Sequence, residues 1–446
     1  MTAAISAGDT AWVLMSTALV MLMLPGLAFF YGGMVRGKSS LNTMMMSMAA
    51  LGLVSVQWVL FGFTLAFHKG SPLVGGLGWL GLSGVGGAPA PAYSTTIPAS
   101  VYAAFQLMFA AITVALISGA VVERMRFPAY LLFVVGWSTL VYDPLAHWVW
   151  GDGGWLHTLG ALDFAGGTVV HISAGISALV VASFLGARRD HKRVPSVPHN
   201  VPFVLLGAGL LWFGWFGFNG GSALAANGLA GSAMVATNTA AAAALVVWML
   251  LDHFRSGRST AIGAATGAVV GLVAITPAAG FVTPLAAVAI GGLAAGASYT
   301  AMQLRARTSL DDSLDVFACH GVGGIVGALL TGVFASKAVN PAGADGLLYG
   351  NPMQFVVQLA AVGATVVLAA AGTAVVLLAV RALAGLRLHG EEEIRGIDLV
   401  EHGEEAYYGG DVGELAGRRP LIGDSVFLPA AEVRHFPVKG GARGVA

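Results

Sequence analysis

Apolar residues run through this chain in long unbroken blocks, separated by short polar or Gly/Pro-rich breaks. Eleven blocks stand out, at 10–33, 45–67, 100–121, 128–149, 165–186, 201–222, 233–253, 262–280, 284–304, 316–336 and 354–380. Each is near the roughly 20 apolar residues that a helix needs to cross a bilayer core of about 30 Å. Neither the alternation of a transmembrane barrel strand nor its length of about ten residues is present. The pattern predicts an all-α, polytopic membrane protein with eleven transmembrane helices. Between the second and third blocks, 70–99 is rich in Gly, Pro and Ser and reads as a loop. Beyond 380 the character changes, so two regions are expected: a membrane domain, 1–380, and a charged tail, 381–446. A short helix is predicted in the tail near Glu391–Leu399.

Composition agrees with the pattern. Hydrophobic residues make up 57% and charged residues 10% of 446 positions, against about 25% charged in soluble domains. One cysteine, Cys319, excludes an intrachain disulfide framework and a multi-cysteine metal site. The first block has no basic region before it and no cleavage site after it, so it is read as a retained span. The many glycines inside the blocks suit close helix contact in lipid.

Charge sets the orientation. Twelve of the 22 Lys and Arg residues follow the first, third, fifth, seventh and ninth blocks, and eight lie beyond 380; Lys69 and Lys337 alone fall on the other side. Under the positive-inside rule the N-terminus is outside and the tail inside. The basic loop 187–200 divides the blocks into five and six. His171 and His320 share the pattern H-x-x-x-G-I across that divide, each shortly after Leu-Asp (Leu162-Asp163 and Leu314-Asp315). Five spans is an odd number, so the two helices run oppositely, as in a 5+5 inverted repeat with one extra helix. Such repeats hold their sites near the midplane.

Ionisable residues inside spans mark functional sites by default. His171 and His320 are therefore the leading candidates, able to share a proton while facing a passing solute. As structural groups they would instead clamp two helices together. A second set is aromatic: Trp215, Phe218 and Ser222 share one helix face, with Phe105, Phe109 and Trp150 towards the same side. Aromatic faces attract small cations, although Trp and Phe also serve as interfacial belt and packing residues. Asp163 is placed to cap an incoming helix, a structural and electrostatic role. Glu123-Arg124 and Asp311-Asp312 read as loop charges without function. No metal site, cofactor or nucleic-acid contact is indicated.

ALDFAGGTVVHISAGI (161–176), GWFGFNGGSA (214–223), DVFACHGVGGIVG (315–327) and FFYGGMVRGK (29–38) resemble the ammonium transporter family (Amt/Mep/Rh), on its bacterial Amt branch. The resemblance runs from about residue 10 to Tyr408. It implies a homotrimer in the bacterial cytoplasmic membrane, each protomer with a narrow apolar pore for ammonia. Trp150, Phe109 and Ser222 then match the outer ammonium-recruitment site, Phe109 and Phe218 the stacked gate, and His171 and His320 the twin pore histidines. Trp215 matches a pore-wall aromatic, Asp163 the acidic residue beneath the outer vestibule, and Phe30, Tyr31 and Val316 the inner exit. The tail segment 398–407 fits the region where PII-type signal proteins dock; Cys319 is given no role. Methylammonium is the expected analogue. An ammonium sensor, an Rh-like channel for neutral gas and an intramembrane enzyme are the competing readings. The last lacks a nucleophile or metal ligands at the right depth.

Overall fold

The computed structural model describes residues 5–194 and 196–407. The tail beyond Tyr407, including most of the proposed 381–446 region, lies outside the described residues. Within them the chain is helical, with no strands and one isolated bridge, Met125 to Arg387. Ten helices are long and apolar enough to cross a membrane: α1 (Ala7–Met34), α2 (Gly37–Phe67), α3 (Ala99–Ala120), α4 (Phe127–Leu159, interrupted at 151–154), α5 (Gly167–Leu185), α6 (Val201–Gly221), α7 (Gly228–Ser256), α9 (Pro284–Arg307), α10 (Phe317–Phe334) and α11 (Pro352–Ala384). The block at 262–280 differs from expectation. It forms only a 15-residue helix, α8 (Ala261–Ile275), because Thr276–Pro277 starts a turn that leads into α9. The tail helix α12 (Gly390–Arg395) is shorter than predicted, since Gly396 at φ 113° breaks it before a turn at Asp398–His402.

Helix ends follow local chemistry. Asn200, Asn227 and Thr260 cap α6, α7 and α8, each side-chain oxygen accepting a backbone N–H of the first turn. Gly257 and Gly186, both at positive φ, end α7 and α5. Apolar side chains that point outwards, such as Leu285 and Leu383, remain exposed, as a lipid-facing surface requires. The basic loops predicted to share one side do meet: Arg36 reaches Glu123 and Asp190, Lys38 reaches the carbonyls of Glu393 and Ile394, and Lys192 reaches that of Thr308. We call this end the basic mouth, and the opposite end, around Trp150, the aromatic mouth.

The centre is the crossing of α5 and α10. A Cβ added at Gly175 would fall 2.1 Å from the Gly321 nitrogen, and one at Gly324 would fall 3.1 Å from His171 Cβ. Each glycine lies four residues after one histidine and packs against the segment that carries the other. That reciprocity means that the two helices cross in opposite directions. Each begins with a π-turn, Gly167–Ile172 and Phe317–Val322, and the histidines sit in these turns. Two more π-turns, Trp58–Gly62 and Ser138–Tyr142, interrupt α2 and α4.

Gly175→Ala is expected to destabilise the fold by about 3 kcal/mol, the upper end for overpacking, because the clash is with backbone and no rotamer relieves it. Gly209→Ala on α6, where an added Cβ meets nothing within 4 Å, should leave stability unchanged. Size-exclusion chromatography after heating purified protein compares the two.

Candidate functional site: two mouths and a histidine-lined constriction

Asp163 builds the entry to α5. Its carboxylate accepts the backbone N–H groups of Gly166, Gly167, Thr168 and Val169 at 2.8, 2.6, 2.8 and 3.2 Å, and also the Thr168 hydroxyl. Gly166 permits this wrap with φ 114°; a side chain there would meet Val170. The counterpart on α10 is Asp312, not the Asp315 that the sequence echo pointed to. Asp312 accepts the Phe317 N–H at 2.7 Å, and it precedes His320 by eight residues, as Asp163 precedes His171. Asp315 instead pairs with Arg305 at 2.8 Å.

These two starts bring the histidines together. His171 and His320 are buried, their rings 5.4 Å apart and their Nδ1 atoms at 3.3 Å. One Nδ1 must donate and the other accept, so one ring keeps Nε2 as an acceptor and the other keeps Nε2–H as a donor. His171 Nε2 has no protein partner. Trp215 stacks on His171 at 5.4 Å and is anchored by Nε1–H donation to Thr276 Oγ1 at 2.9 Å.

Three cavities lie in series around this pair. At the aromatic mouth a cavity of about 310 Å³ is lined by Phe109, Trp150, Asp163, Ser222, Gln106 and Phe281, among others. At the basic mouth one of about 410 Å³ is lined by Phe30, Tyr31, Arg188, Arg305, Cys319 and His320, among others. Between them a space of about 10 Å³ touches His171, His320, Trp215, Phe218 and Phe30, with Met23, Leu27, Ile112 and Leu116 completing much of its wall. That is room for about one water-sized molecule. Phe109 and Phe218 stack at 4.2 Å and 28°, and Phe109 faces the first cavity while Phe218 faces the constriction. Phe30 and His320 border both the constriction and the basic mouth.

At the aromatic mouth, Trp150 holds an edge-to-face contact with Phe109 at 6.1 Å and donates its Nε1–H to the Asp163 carbonyl at 2.9 Å. Ser222 Oγ donates to the Phe218 carbonyl at 2.8 Å, so its lone pairs are free to accept. Trp150, Phe109 and Ser222 are thus brought together. Phe105 is fully buried behind Phe109, with ring centroids at 4.9 Å, and does not line the cavity. Tyr31 does line the basic mouth and donates to the Leu116 carbonyl at 3.1 Å. Val316 does not; it is fully buried and flanks Gly119 together with Tyr31. Among the described residues no group of three His, Cys, Asp or Glu converges as a metal site.

The sequence-level reading of Glu123-Arg124 and Asp311-Asp312 as idle loop charges is corrected by the structure. All four are buried. Glu123 binds Arg36 at 2.5 Å and Arg188 at 2.9 Å, while Asp311 binds Arg188 at 2.9 Å and lies 3.8 Å from Arg124. Arg124 also donates to the Ala120 and Asp311 carbonyls at 2.8 and 2.5 Å. These charges could not be recognised as one network because they come from four separate loops.

The sequence model of the Ammonium Transporter Family matches residues 11–407. The chain belongs to this family. An ammonium transporter of Bacillus subtilis (strain 168) is 51% identical over 401 residues, covering 90% of this chain and 98% of that one. Ammonium transporter Amt1 of Archaeoglobus fulgidus is 46% identical over 403 residues, covering 90% of this chain and all of that one. Among solved structures, Candida albicans Mep2 superposes with a TM-score of 0.82 at 39% identity, covering 87% of this chain and 88% of that one. A structure described as a sensor Amt protein gives 0.82 at 30% identity, covering 89% and 98%. With this membership and, among the described residues, ten helices long and apolar enough to cross a membrane, the chain is a multi-pass membrane protein of the Amt/Mep fold.

The basic-mouth network sets a pH dependence. Burial pushes the Asp311 carboxyl up, but hydrogen bonds from Arg188 and the charge of Arg124 outweigh it and hold the group below the usual carboxylate range. A depressed pKa adds stability above the unfolded-state value and loses it as pH falls through the folded one. Asp311→Asn should therefore lower the melting midpoint at pH 7, and the gap to the unmodified protein should narrow as pH drops below about 4. Thermal melts of purified protein across that range measure it.

Proposed function

We propose that this family member transports ammonium across a membrane, taking the cation at the aromatic mouth and passing it through the histidine-lined constriction as ammonia. The observation that carries the reading is the constriction itself. Its walls are apolar apart from the two imidazoles, and it has room for about one small molecule. A bare cation there would lose its hydration for a desolvation cost of several kcal/mol. Neutral ammonia, a donor and an acceptor, fits the complementary Nε2 atoms of the pair. Potassium has no proton to give up and is refused on that ground.

Recruitment falls to Trp150, Phe109 and Ser222: two π-faces for cation contact and one hydroxyl oxygen to accept an N–H. Deprotonation follows near the Phe109–Phe218 stack, which must part for the solute to enter. The arriving ammonia exchanges hydrogen bonds with His171 and then His320 before it leaves past Phe30 and Tyr31 into the basic mouth. The proton either stays on the side of origin or follows along the imidazoles. Asp163, with its oxygens engaged by five donors, acts through the field and shape of the mouth. No covalent bond of a substrate other than N–H is broken, so the protein is a transporter and not an enzyme.

The gathering of Arg36, Lys38, Arg188 and Arg305 at one end supports placing that end in the bacterial cytoplasm, with the N-terminus outside and 381–446 as a cytoplasmic tail after the membrane domain, 1–380. The proposed assembly is a homotrimer in the lipid bilayer, with a PII-type signal protein as the candidate partner of the tail region. Likeness to a sensor Amt protein supports sensing as the second reading, in which occupancy of the aromatic mouth is reported without flux.

Solid-supported membrane electrophysiology on reconstituted protein tests the proposal. An ammonium-evoked current absent with potassium is the expected result, and a silent protein that also fails to take up methylammonium overturns it. His171→Ala should abolish methylammonium uptake or alter its selectivity without preventing assembly; undiminished, equally selective uptake would remove the histidine from the pore mechanism. Trp150→Leu should weaken uptake mainly at low ammonium, measured as a raised half-saturation concentration.

A further inference from the structure

Two of the four membrane π-turns carry the histidines. The other two meet at a second buried polar pair, away from the conduction path. Gln57 directly precedes the π-turn Trp58–Gly62 on α2, and Asp143 directly follows the π-turn Ser138–Tyr142 on α4. Such turns recur at functional positions. Asp143 is fully buried and Gln57 nearly so, and neither lines any of the three cavities.

Hydrogen bonding around the pair is half complete. Gln57 Nε2 donates to Asp143 Oδ2 at 2.7 Å, and more weakly to Thr139 Oγ1 at 3.3 Å. The Thr139 hydroxyl is spent on the Val135 carbonyl at 2.8 Å. Asp143 Oδ1 and Gln57 Oε1 have no partner among the described residues. Both are acceptors, and two stranded buried acceptors on one hydrogen-bonded pair are costly in the membrane.

The charged and titratable neighbours do not relieve them. Asp143 forms no ion pair among the described residues. His147, one turn along α4, has its ring nitrogens at 2.9 and 2.8 Å from the carbonyls of Ala66 and Ser71. Asp163 is saturated by its own helix start. The adjacent Tyr142 hydroxyl is itself without a partner, and Tyr102 on α3 faces Gln106.

A carboxylic acid and a primary amide satisfy each other head to tail: the amide N–H donates to one carboxyl oxygen, and the acid O–H donates to the amide carbonyl. The first leg is in place here, and the two stranded atoms are the ones that the second leg joins. We propose that Asp143 and Gln57 form an intramembrane proton-binding site, in which a resident proton on Asp143 Oδ1 is donated to Gln57 Oε1. The neutral acid–amide pair ties the π-turn of α2 to that of α4 and leaves no net charge buried between them. It stands independently of the route taken by ammonia, because neither residue touches that route.

Infrared spectroscopy of the full-length reconstituted protein, with deuterium exchange, tests the site alongside uptake and thermal melts. A protonated-carboxyl C=O band is expected, lost in Asp143→Asn. Asparagine reproduces both legs, since its amide N–H donates to Gln57 Oε1, so this variant should keep uptake and melting midpoint. Asp143→Leu strands both polar ends of Gln57 and should lower the midpoint. The proposal is overturned if the band persists in Asp143→Asn, or if that variant loses uptake or stability, as removal of an ionised carboxylate would cause. An unchanged midpoint in Asp143→Leu overturns it equally.

Discussion

Everything at the centre of this protein depends on two backbones being allowed to touch. Lipid offers no hydrophobic drive for one helix to seek another, so association rests on close packing and on hydrogen bonds. Gly175 and Gly324 supply the first by leaving each crossing partner's backbone uncovered. The consequence is chemical as well as mechanical. Only at that spacing do His171 and His320 come near enough for a single hydrogen bond between Nδ1 atoms, which fixes complementary tautomers. A side chain at Gly175 would separate the helices, and the pair would become two unrelated polar groups buried at a cost.

The same approach is repeated at the starts of the two helices. Asp163 and Asp312 gather backbone N–H groups that π-turns leave without ordinary partners, and in doing so set where each histidine lies along its helix. The aromatic groups are then arranged around a fixed axis: Trp215 flat against His171, Phe218 beyond it, and Phe109 stacked on Phe218. Their order from mouth to constriction follows from helix spacing, with Trp215, Phe218 and Ser222 on one face of α6.

Much of this was legible in the chain. Of the eleven spans expected from the apolar blocks, ten form helices long enough to cross a membrane among the described residues, because helix length and bilayer thickness are matched by physics. The twin histidines were visible as rare ionisable residues in apolar surroundings, and Trp150, Phe109, Ser222 and Phe218 as clustered aromatics and a hydroxyl. Three kinds of feature were not. The block at 262–280 is apolar throughout, yet Thr276 and Pro277 turn the chain early, and hydrophobicity alone cannot separate a spanning residue from a buried turn. The Glu123, Arg124, Arg36, Arg188 and Asp311 network is spread over distant loops, each innocuous alone. The walls of the constriction, such as Leu27, Ile112 and Leu116, carry no signal at all, since a side chain facing lipid and one facing the pore look the same in sequence. Val316 shows the reverse error: it belongs to the right neighbourhood but lies buried behind the wall.

The unequal size of the three cavities also has an electrical meaning. Two wide mouths on either side of a narrow, apolar throat behave like conductors separated by an insulator, so the transmembrane voltage drops mainly across the throat. A charge that crosses it senses nearly the full potential, worth about 2.3 kcal/mol per elementary charge for each 100 mV. A neutral molecule senses none. The geometry thereby makes the protein a discriminator between moving a charge and moving mass, and how steeply flux responds to voltage reports which of the two passes between Phe218 and Phe30.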